Sequence, residues 1–317
     1  MKLFIDGSAG TTGLRIRDRL AQRSEFEILS LPDELRKDPA AKKEAYSSAD
    51  YVITCLPDAA AIEAARLAQE VCQYHPLRLL DTSTAHRTSP GWSYGFPELS
   101  DGMRADVRNA QRLAVPGCHA SGFIALVRPL VRNGLISPDT ALSCFSLTGY
   151  SGGGNKMIAE YESENRSPLL DSPRQYALGQ AHKHLKEMQG ITGISVTPAF
   201  CPIVADFYSG MEVTVPLFRK DLLKGGIEDV RDVYRALYAG PVVCYREEIA
   251  DNGFLAANQM RGKDSMLIGV AGNEDRILLT AVYDNLGKGA SGAAVQCLNL
   301  MCGLEETAGL QLLSEEI

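Results

Sequence analysis

At 317 residues the chain has room for two domains, and 45% apolar with 22% charged residues is an ordinary globular balance. A net charge of -7 argues against general affinity for nucleic acid or an anionic membrane, while leaving room for an anionic small-molecule substrate held by local cations. No apolar run approaches the ~20 residues of a membrane span. MKLFIDGSAG lacks the apolar core and cleavage site of a secretory signal, so a cytoplasmic protein is expected. The 8 cysteines lack metal-ligand spacing and read as reduced thiols, with no metal site expected.

Taken in order, residues 2–6 predict a strand, 12–22 an amphipathic helix, 26–31 a second strand and 51–55 a third. An Ala-rich helix over 58–72 follows, with Asp58 near its N-cap, and a fourth strand over 78–80 ends at Asp81. Alternating strands and helices imply right-handed βαβ units and a parallel sheet. The loop between the first strand and helix reads Gly7-Ser8-Ala9-Gly10-Thr11-Thr12-Gly13. Glycines here allow a tight turn and close approach of a pyrophosphate, whose charge the helix N-terminus favours. The second strand ends at Ser30 without the carboxylate that usually holds the ribose hydroxyls of NAD, and Arg36 and Lys37 follow. Ser30 and these cations suit a 2′-phosphate, so NADP is the expected cofactor, although Asp33 and Glu34 oppose the signal.

Beyond residue 118 the pattern changes to longer strands over 141–148, 211–217, 266–271 and 276–283, the last two flanking the hairpin turn Gly272-Asn273-Glu274-Asp275. A helix is predicted over 226–238, and 289–304 reads as a long apolar helix able to pack back on the first domain. The expected fold is α/β, an N-terminal Rossmann dinucleotide-binding domain followed by an α+β domain with a mixed sheet.

Pro116-Gly117-Cys118 precedes a helix-like run over 121–132. A cysteine at a helix N-terminus favours the thiolate, and the same N–H groups stabilise an oxyanion. His119 is adjacent, but neighbouring side chains on a helix diverge, and it need not be the base. His182-Lys183-His184 with Glu187 supplies other candidates, Glu187 being placed to orient His184 on a helical turn. A glycine-rich loop, Gly149 to Gly154 with Ser151 and Gly152, ends at Asn155-Lys156 and offers N–H groups to an anion.

Together these residues resemble the shorter form of the N-acetyl-γ-glutamyl-phosphate reductases. The likeness is carried by the glycine loop, Leu56-Pro57-Asp58, the segments 81–87 and 94–99, Pro-Gly-Cys-x-x-Ser-Gly, the glycine-rich loop, His-x-His-x-x-Glu and the segment 284–290. The chain departs from that pattern at His119, Ala120 and Lys186. The resemblance implies the two-domain fold of aspartate-semialdehyde and glyceraldehyde-3-phosphate dehydrogenases. Residues 1–117 with 287–317 would bind NADP, and 118–286 would carry catalysis and oligomer contacts in a homodimer or homotetramer. It implies that Cys118 forms a thioacyl intermediate and that His184 or His182 acts as acid and base. Arg87, Ser151, Gly152 and Lys156 would meet substrate, and Asn285 would lie near the nicotinamide. The alternatives are an aspartate-semialdehyde-type dehydrogenase acting on another acyl phosphate, a non-catalytic NADP-binding protein, and a cysteine hydrolase.

Overall fold

The computed structural model describes residues 1–8 and 10–314. The chain separates into two compact units. The first comprises Met1–Pro97, Gly102–Pro116 and Ala290–Gly309; the second comprises Glu98–Asp101, Gly117–Gly289 and the described residues from Leu310 onward.

The first unit begins with β1 (Lys2–Asp6), α1 (Thr11–Leu20), β2 (Glu27–Leu29), α2 (Pro39–Ser48) and β3 (Tyr51–Thr54). It continues with α3 (Asp58–Val71), β4 (Arg78–Asp81), β5 (Ser93–Tyr94), α4 (Asp101–Asn109) and β6 (Arg112–Ala114). The six strands are parallel in the order β2-β1-β3-β4-β6-β5. Their near-continuous apolar runs fit a sheet buried on both faces: Leu3, Phe4, Val52, Ile53, Leu79 and Leu80 are all buried. The order reverses between β1 and β3, and in an open α/β sheet the crevice beyond the strand ends at such a switch point takes the ligand. Helices α2 and α4 lie outside the sequence expectation. α2 is rich in Ala, Lys and Ser and buries only Ala45 and Tyr46, so no apolar stripe marks it. Its signal is local: Asp38 accepts a hydrogen bond from Ala41 N at the N-cap, with Pro39 in the first turn.

The second unit contains α5 (Cys118–Arg132), β7 (Ser143–Gly149), α6 (Gly154–Tyr161), β8 (Arg174–Gln175), α7 (Leu185–Thr192) and β9 (Ala199–Ala205). After these come β10 (Met211–Phe218), α8 (Ile227–Leu237), β11 (Val243–Tyr245), β12 (Met266–Gly272) and β13 (Arg276–Tyr283). The strands form a mixed sheet, β11-β12-β13-β10-β7-β9-β8. Register pairs Met211 with Tyr283 on one side and with Thr148 on the other. Alternation then sends Cys144, Val213, Val215, Leu279 and Ala281 to one buried face, against which α5 and α8 pack.

The chain returns to the first unit in α9 (Gly292–Met301), every residue of which is buried. α9 packs beside α1, and Met301 O accepts a hydrogen bond from Tyr51 Oη. The helix expected from 289 begins instead as a π-helical turn over Gly287–Ser291. Among the described residues no helix is long and apolar enough to cross a membrane.

Candidate active site

In the first unit the ends of β1, β2 and β3 open onto a cleft of about 480 Å³. Gly7, Ser8, Ser30, Arg36 and Lys37 line it, joined by Arg17 and Lys42, which sequence reasoning did not single out. Gly7 has φ +91, and a Cβ there would lie 2.4 Å from Cys55 O. A Cβ on Gly13 would lie 2.4 Å from Gly7 O. Only glycine fits at either place, which is the form of a loop that lets a diphosphate meet backbone N–H groups. Gly10 is the N-cap of α1 and Thr12 stands in its first turn; the side chain of Thr11 lies outside the described residues. Arg36 pairs with Asp33 at 2.6 Å, and Lys42 with Asp6 at 3.0 Å. The cleft thus offers a hydroxyl and cations, with no carboxylate at the end of β2, and these residues fit an adenosine 2′-phosphate.

Arg87 is buried in the same unit. Its Nε donates to Val115 O and its Nη2 to Thr82 O. These bonds fasten the 82–87 segment to the chain leading to Pro116.

The second unit holds Cys118 at the first residue of α5, with Gly117 as N-cap. Helix α7 packs along α5. From its first turn, Glu187 reaches across to accept a hydrogen bond from Gly117 N at 2.8 Å. A buried carboxylate therefore fixes the backbone immediately before Cys118. His184 is the N-cap of α7 rather than a residue within its turn. The rings of His182 and His184 lie 4.8 Å apart, and 5.7 and 5.6 Å respectively from the ring of His119. Burial and Lys183 hold His182 below the usual imidazole range. Its Nδ1 accepts from His184 N at 3.2 Å, which leaves the hydrogen on Nε2.

The first turn of α5 has an inserted partner. Tyr283 Oη donates to Cys118 O and accepts from Gly122 N at 3.0 Å. A Cβ at Gly122 would lie 2.7 Å from that hydroxyl, so the glycine of Pro-Gly-Cys-x-x-Ser-Gly admits Tyr283. Gly289 likewise lets its segment approach, since a Cβ there would lie 3.1 Å from Cys118 Cβ. The preceding Lys288 is buried and bonded to both oxygens of Glu98 at 2.8 and 2.9 Å. Sequence reasoning singled out neither partner of this ion pair individually, although both lie in segments that carried the family likeness.

The glycine-rich loop is pinned. Tyr150 N and Ser151 N donate to Phe207 O and Tyr208 O. Asn285 is buried, accepting from Gly210 N and donating to Ser151 Oγ at 3.1 Å. A Cβ at Gly152 would lie 3.5 Å from Asn285 Nδ2. Ser151, Gly152 and Asn285 are thus one cluster, whereas Lys156 stands exposed on α6. Among the described residues no His, Cys, Asp and Glu cluster is arranged to hold a metal.

A Rossmann-type cleft in one unit and a cysteine at a helix N-terminus in the other define a dehydrogenase of the semialdehyde class. The family described as semialdehyde dehydrogenase, dimerisation domain, matches residues 118–285. Aspartate semialdehyde dehydrogenase II from Vibrio cholerae, complexed with ASA, superposes with a TM-score of 0.70 at 17% identity, covering 95% of this chain and 98% of that one. Aspartate semialdehyde dehydrogenase with NADP from Candida albicans gives 0.67 at 15% identity, with 95% and 98% covered. Sequence relatives narrow the class. N-acetyl-gamma-glutamyl-phosphate reductase 2 of Nostoc sp. is 40% identical over 98% of this chain and 99% of its own. N-acetyl-gamma-glutamyl-phosphate reductase of Brucella ovis is 43% identical over 95% and 99%. The chain belongs to the N-acetyl-gamma-glutamyl-phosphate reductase family.

Proposed function

We propose that this chain converts N-acetyl-γ-glutamyl phosphate to N-acetyl-glutamate γ-semialdehyde and phosphate, a step of arginine biosynthesis, with NADPH as reductant. The observation that carries this reading is Cys118 at the N-terminus of α5, with Glu187 on Gly117 N and the rings of His182 and His184 gathered against that of His119, the next residue. The Cys118 thiolate attacks the acyl carbon, the C–O bond to phosphate breaks, and a thioester forms on sulfur. The first-turn N–H groups of α5 favour the negative charge that develops on the acyl oxygen. Bound NADPH supplies the hydride that reduces the thioester. Its adenosine end belongs with Gly7, Ser8, Gly10, Thr12, Gly13, Ser30, Arg36 and Lys37 of the first unit. His184 or His182, the latter carrying its hydrogen on Nε2, gives the proton that the reduced acyl oxygen gains and takes it back when the thiohemiacetal collapses to the aldehyde and the thiolate. Ser151 and Gly152 shape the substrate site, with Lys156 as its cation and Asn285 holding the loop in place. Arg87 serves as a brace.

The family profile bears the words dimerisation domain. We infer a homo-oligomer, a homodimer or a homotetramer, built on the sheet of the second unit.

The test runs the reaction backwards with NADP⁺, phosphate and N-acetyl-glutamate γ-semialdehyde, following NADPH. Parallel samples contain aspartate semialdehyde, NAD⁺, no phosphate, or the Cys118→Ser variant. Phosphate-dependent NADPH that needs Cys118 and prefers the acetylated aldehyde is expected. Binding of NADP⁺ with no turnover of either aldehyde sinks the assigned reaction.

A further inference from the structure

We propose that His119 is a positioning residue: its imidazole, fixed by Ser146 on one nitrogen, holds the Tyr176 hydroxyl with the other and aims its O–H at the reacting centre on Cys118. The proposal rests on the thioacyl reading above and extends it to a residue at which this chain departs from its family's usual pattern.

His119 is buried. Its Nδ1 lies 2.7 Å from Ser146 Oγ and its Nε2 lies 2.7 Å from Tyr176 Oη. The direction of these bonds follows from burial. Ser146 is wholly buried, and His119 Nδ1 is the one hydrogen-bond partner of its hydroxyl among the described residues. A buried hydroxyl hydrogen needs an acceptor, so Ser146 donates to Nδ1. Nε2 therefore carries the imidazole hydrogen and donates to Tyr176 Oη. The phenol's own hydrogen is then free to point elsewhere. Tyr176 is half-buried and bonded to the residue that follows Cys118 in the first turn of α5; burial foremost, with the charge of Cys118, pushes its phenol up, so the hydroxyl remains a donor. Burial foremost, with His182 and Lys183, pushes His119 down to about 3, and the imidazole stays uncharged at working pH.

The backbone is arranged to keep Tyr176 there. Ser146 stands opposite Pro202 in the β7–β9 register, and Pro202 O accepts from Tyr176 N at 3.0 Å. Ala177 and Gln180 hold left-handed backbone, with φ +53 and +54. Such conformations persist only where the surroundings fix them. Here the Gln180 side chain does so, clamping Phe200 through both N and O at 2.9 and 2.8 Å.

The oxygen that gains charge when Cys118 attacks, and again when the thioester is reduced, would receive the Tyr176 hydrogen bond. No proton is transferred in this step. Histidine-selective ¹⁵N NMR of the whole protein reads the arrangement without turnover: His119 is expected to be neutral, with hydrogen on Nε2, from pH 8 to pH 5. In the reverse reaction Tyr176→Phe should lower kcat by about 10²-fold, the order for one oxyanion donor, with KM little changed. His119→Phe should lower kcat in the same way, and the double variant should be no worse than Tyr176→Phe. His119→Gln, whose amide reaches the place of Nε2, should retain more activity than His119→Asn, which also guards against misfolding of the phenylalanine variant. The pH profile of Cys118 alkylation should not move. A hydrogen on Nδ1, a charged His119, full kcat in His119→Phe, or losses that multiply in the double variant would overturn the proposal. Absence of turnover in the unaltered protein counts against the assigned reaction, while the NMR result still decides the arrangement of His119.

Discussion

Two buried groups make this fold acid-sensitive, in different windows. Asp81 is fully buried and accepts hydrogen bonds from Thr54 Oγ1, Ser83 N, Ser83 Oγ and His86 Nδ1 at 2.6–3.1 Å. Burial alone would raise its pKa, but the bonds from His86, Ser83 and Thr54 outweigh burial and leave it lowered. Its contribution is present above the unfolded carboxylate value and is lost as pH falls through the lower folded one. His119 acts at higher pH. It is neutral in the native state down to about 3 but protonates near 6.5 when unfolded. Stability is therefore complete above about pH 6.5 and declines below it, by at most about 1.4 kcal/mol per pH unit for one proton. His182, also depressed by burial, adds in the same direction. Urea denaturation at half-unit steps from pH 7.5 to 4.5 should show this decline. His119→Phe should flatten it by about one proton, whatever its absolute stability. An unchanged slope in that variant would remove His119 from the account.

At the scale of the element, α5 shows how a helix that carries a nucleophile is supported where its own ladder fails. Pro129 has no N–H to give to Ala125 O, and Tyr238 Oη donates there at 2.7 Å instead. Tyr234 Oη adds a bond to Leu126 O. In the first turn, Tyr283 stands between Gly122 N and Cys118 O. Gly122→Ala would put a methyl 2.7 Å from both Tyr283 Oη and Val213 Cγ2. Overpacking of that kind costs about 1–3 kcal/mol, and here the displaced group holds the carbonyl of the nucleophile. The variant should lose most of its turnover while still binding NADP⁺, as isothermal titration beside the coupled assay would report. Wild-type kcat would show that Tyr283 merely fills space.

The same helix marks what is legible in a sequence. Pro116-Gly117 before an apolar run locates the N-terminus of α5, because caps and periodicity are local properties. β1 to β4, β7, β10, β12 and β13 were equally readable from their apolar runs and from the hairpin turn at 272–275, whereas β5, β6, β8, β9 and β11 were not anticipated. Tyr283, 161 positions from Gly122, is different: its role exists only once β13 lies against α5. The bond from Gly117 N to Glu187 and the pairing of Lys288 with Glu98 are of that kind too. α2 escaped for the opposite reason: it buries too little to leave a stripe. For His119 the sequence offered no partner: Ser146 and Tyr176, which receive it, are set by the β7–β9–β8 pairing.

At the scale of the molecule, no helix among the described residues of the second unit covers the outer face of its seven-stranded sheet around Phe145 and Leu278. Register places Phe145 opposite Thr214, and Thr214 and Pro216 opposite Thr280 and Leu278, so these side chains share that face. Phe145 is 44% and Leu278 41% exposed, with Leu147, Ile203 and Pro216 half-buried around them. An apolar patch of this kind rarely stays bare on a monomer, and it is the surface on which the inferred homo-oligomer would form. Alternation along β7 ties assembly to the site: Phe145 faces outward while Ser146, the next residue, turns inward to His119. Phe145→Asp combined with Leu278→Asp should therefore do two things. Sedimentation velocity should show a shift to a smaller species. The kcat of that species should fall while Cys118 alkylation persists, because β7 would lose the packing that holds Ser146 in place but α5 would keep its own supports. A variant that sediments as the wild type would move the interface elsewhere. A monomer with full kcat would separate assembly from the positioning of His119, leaving the shared strand as geometry without consequence for the reaction.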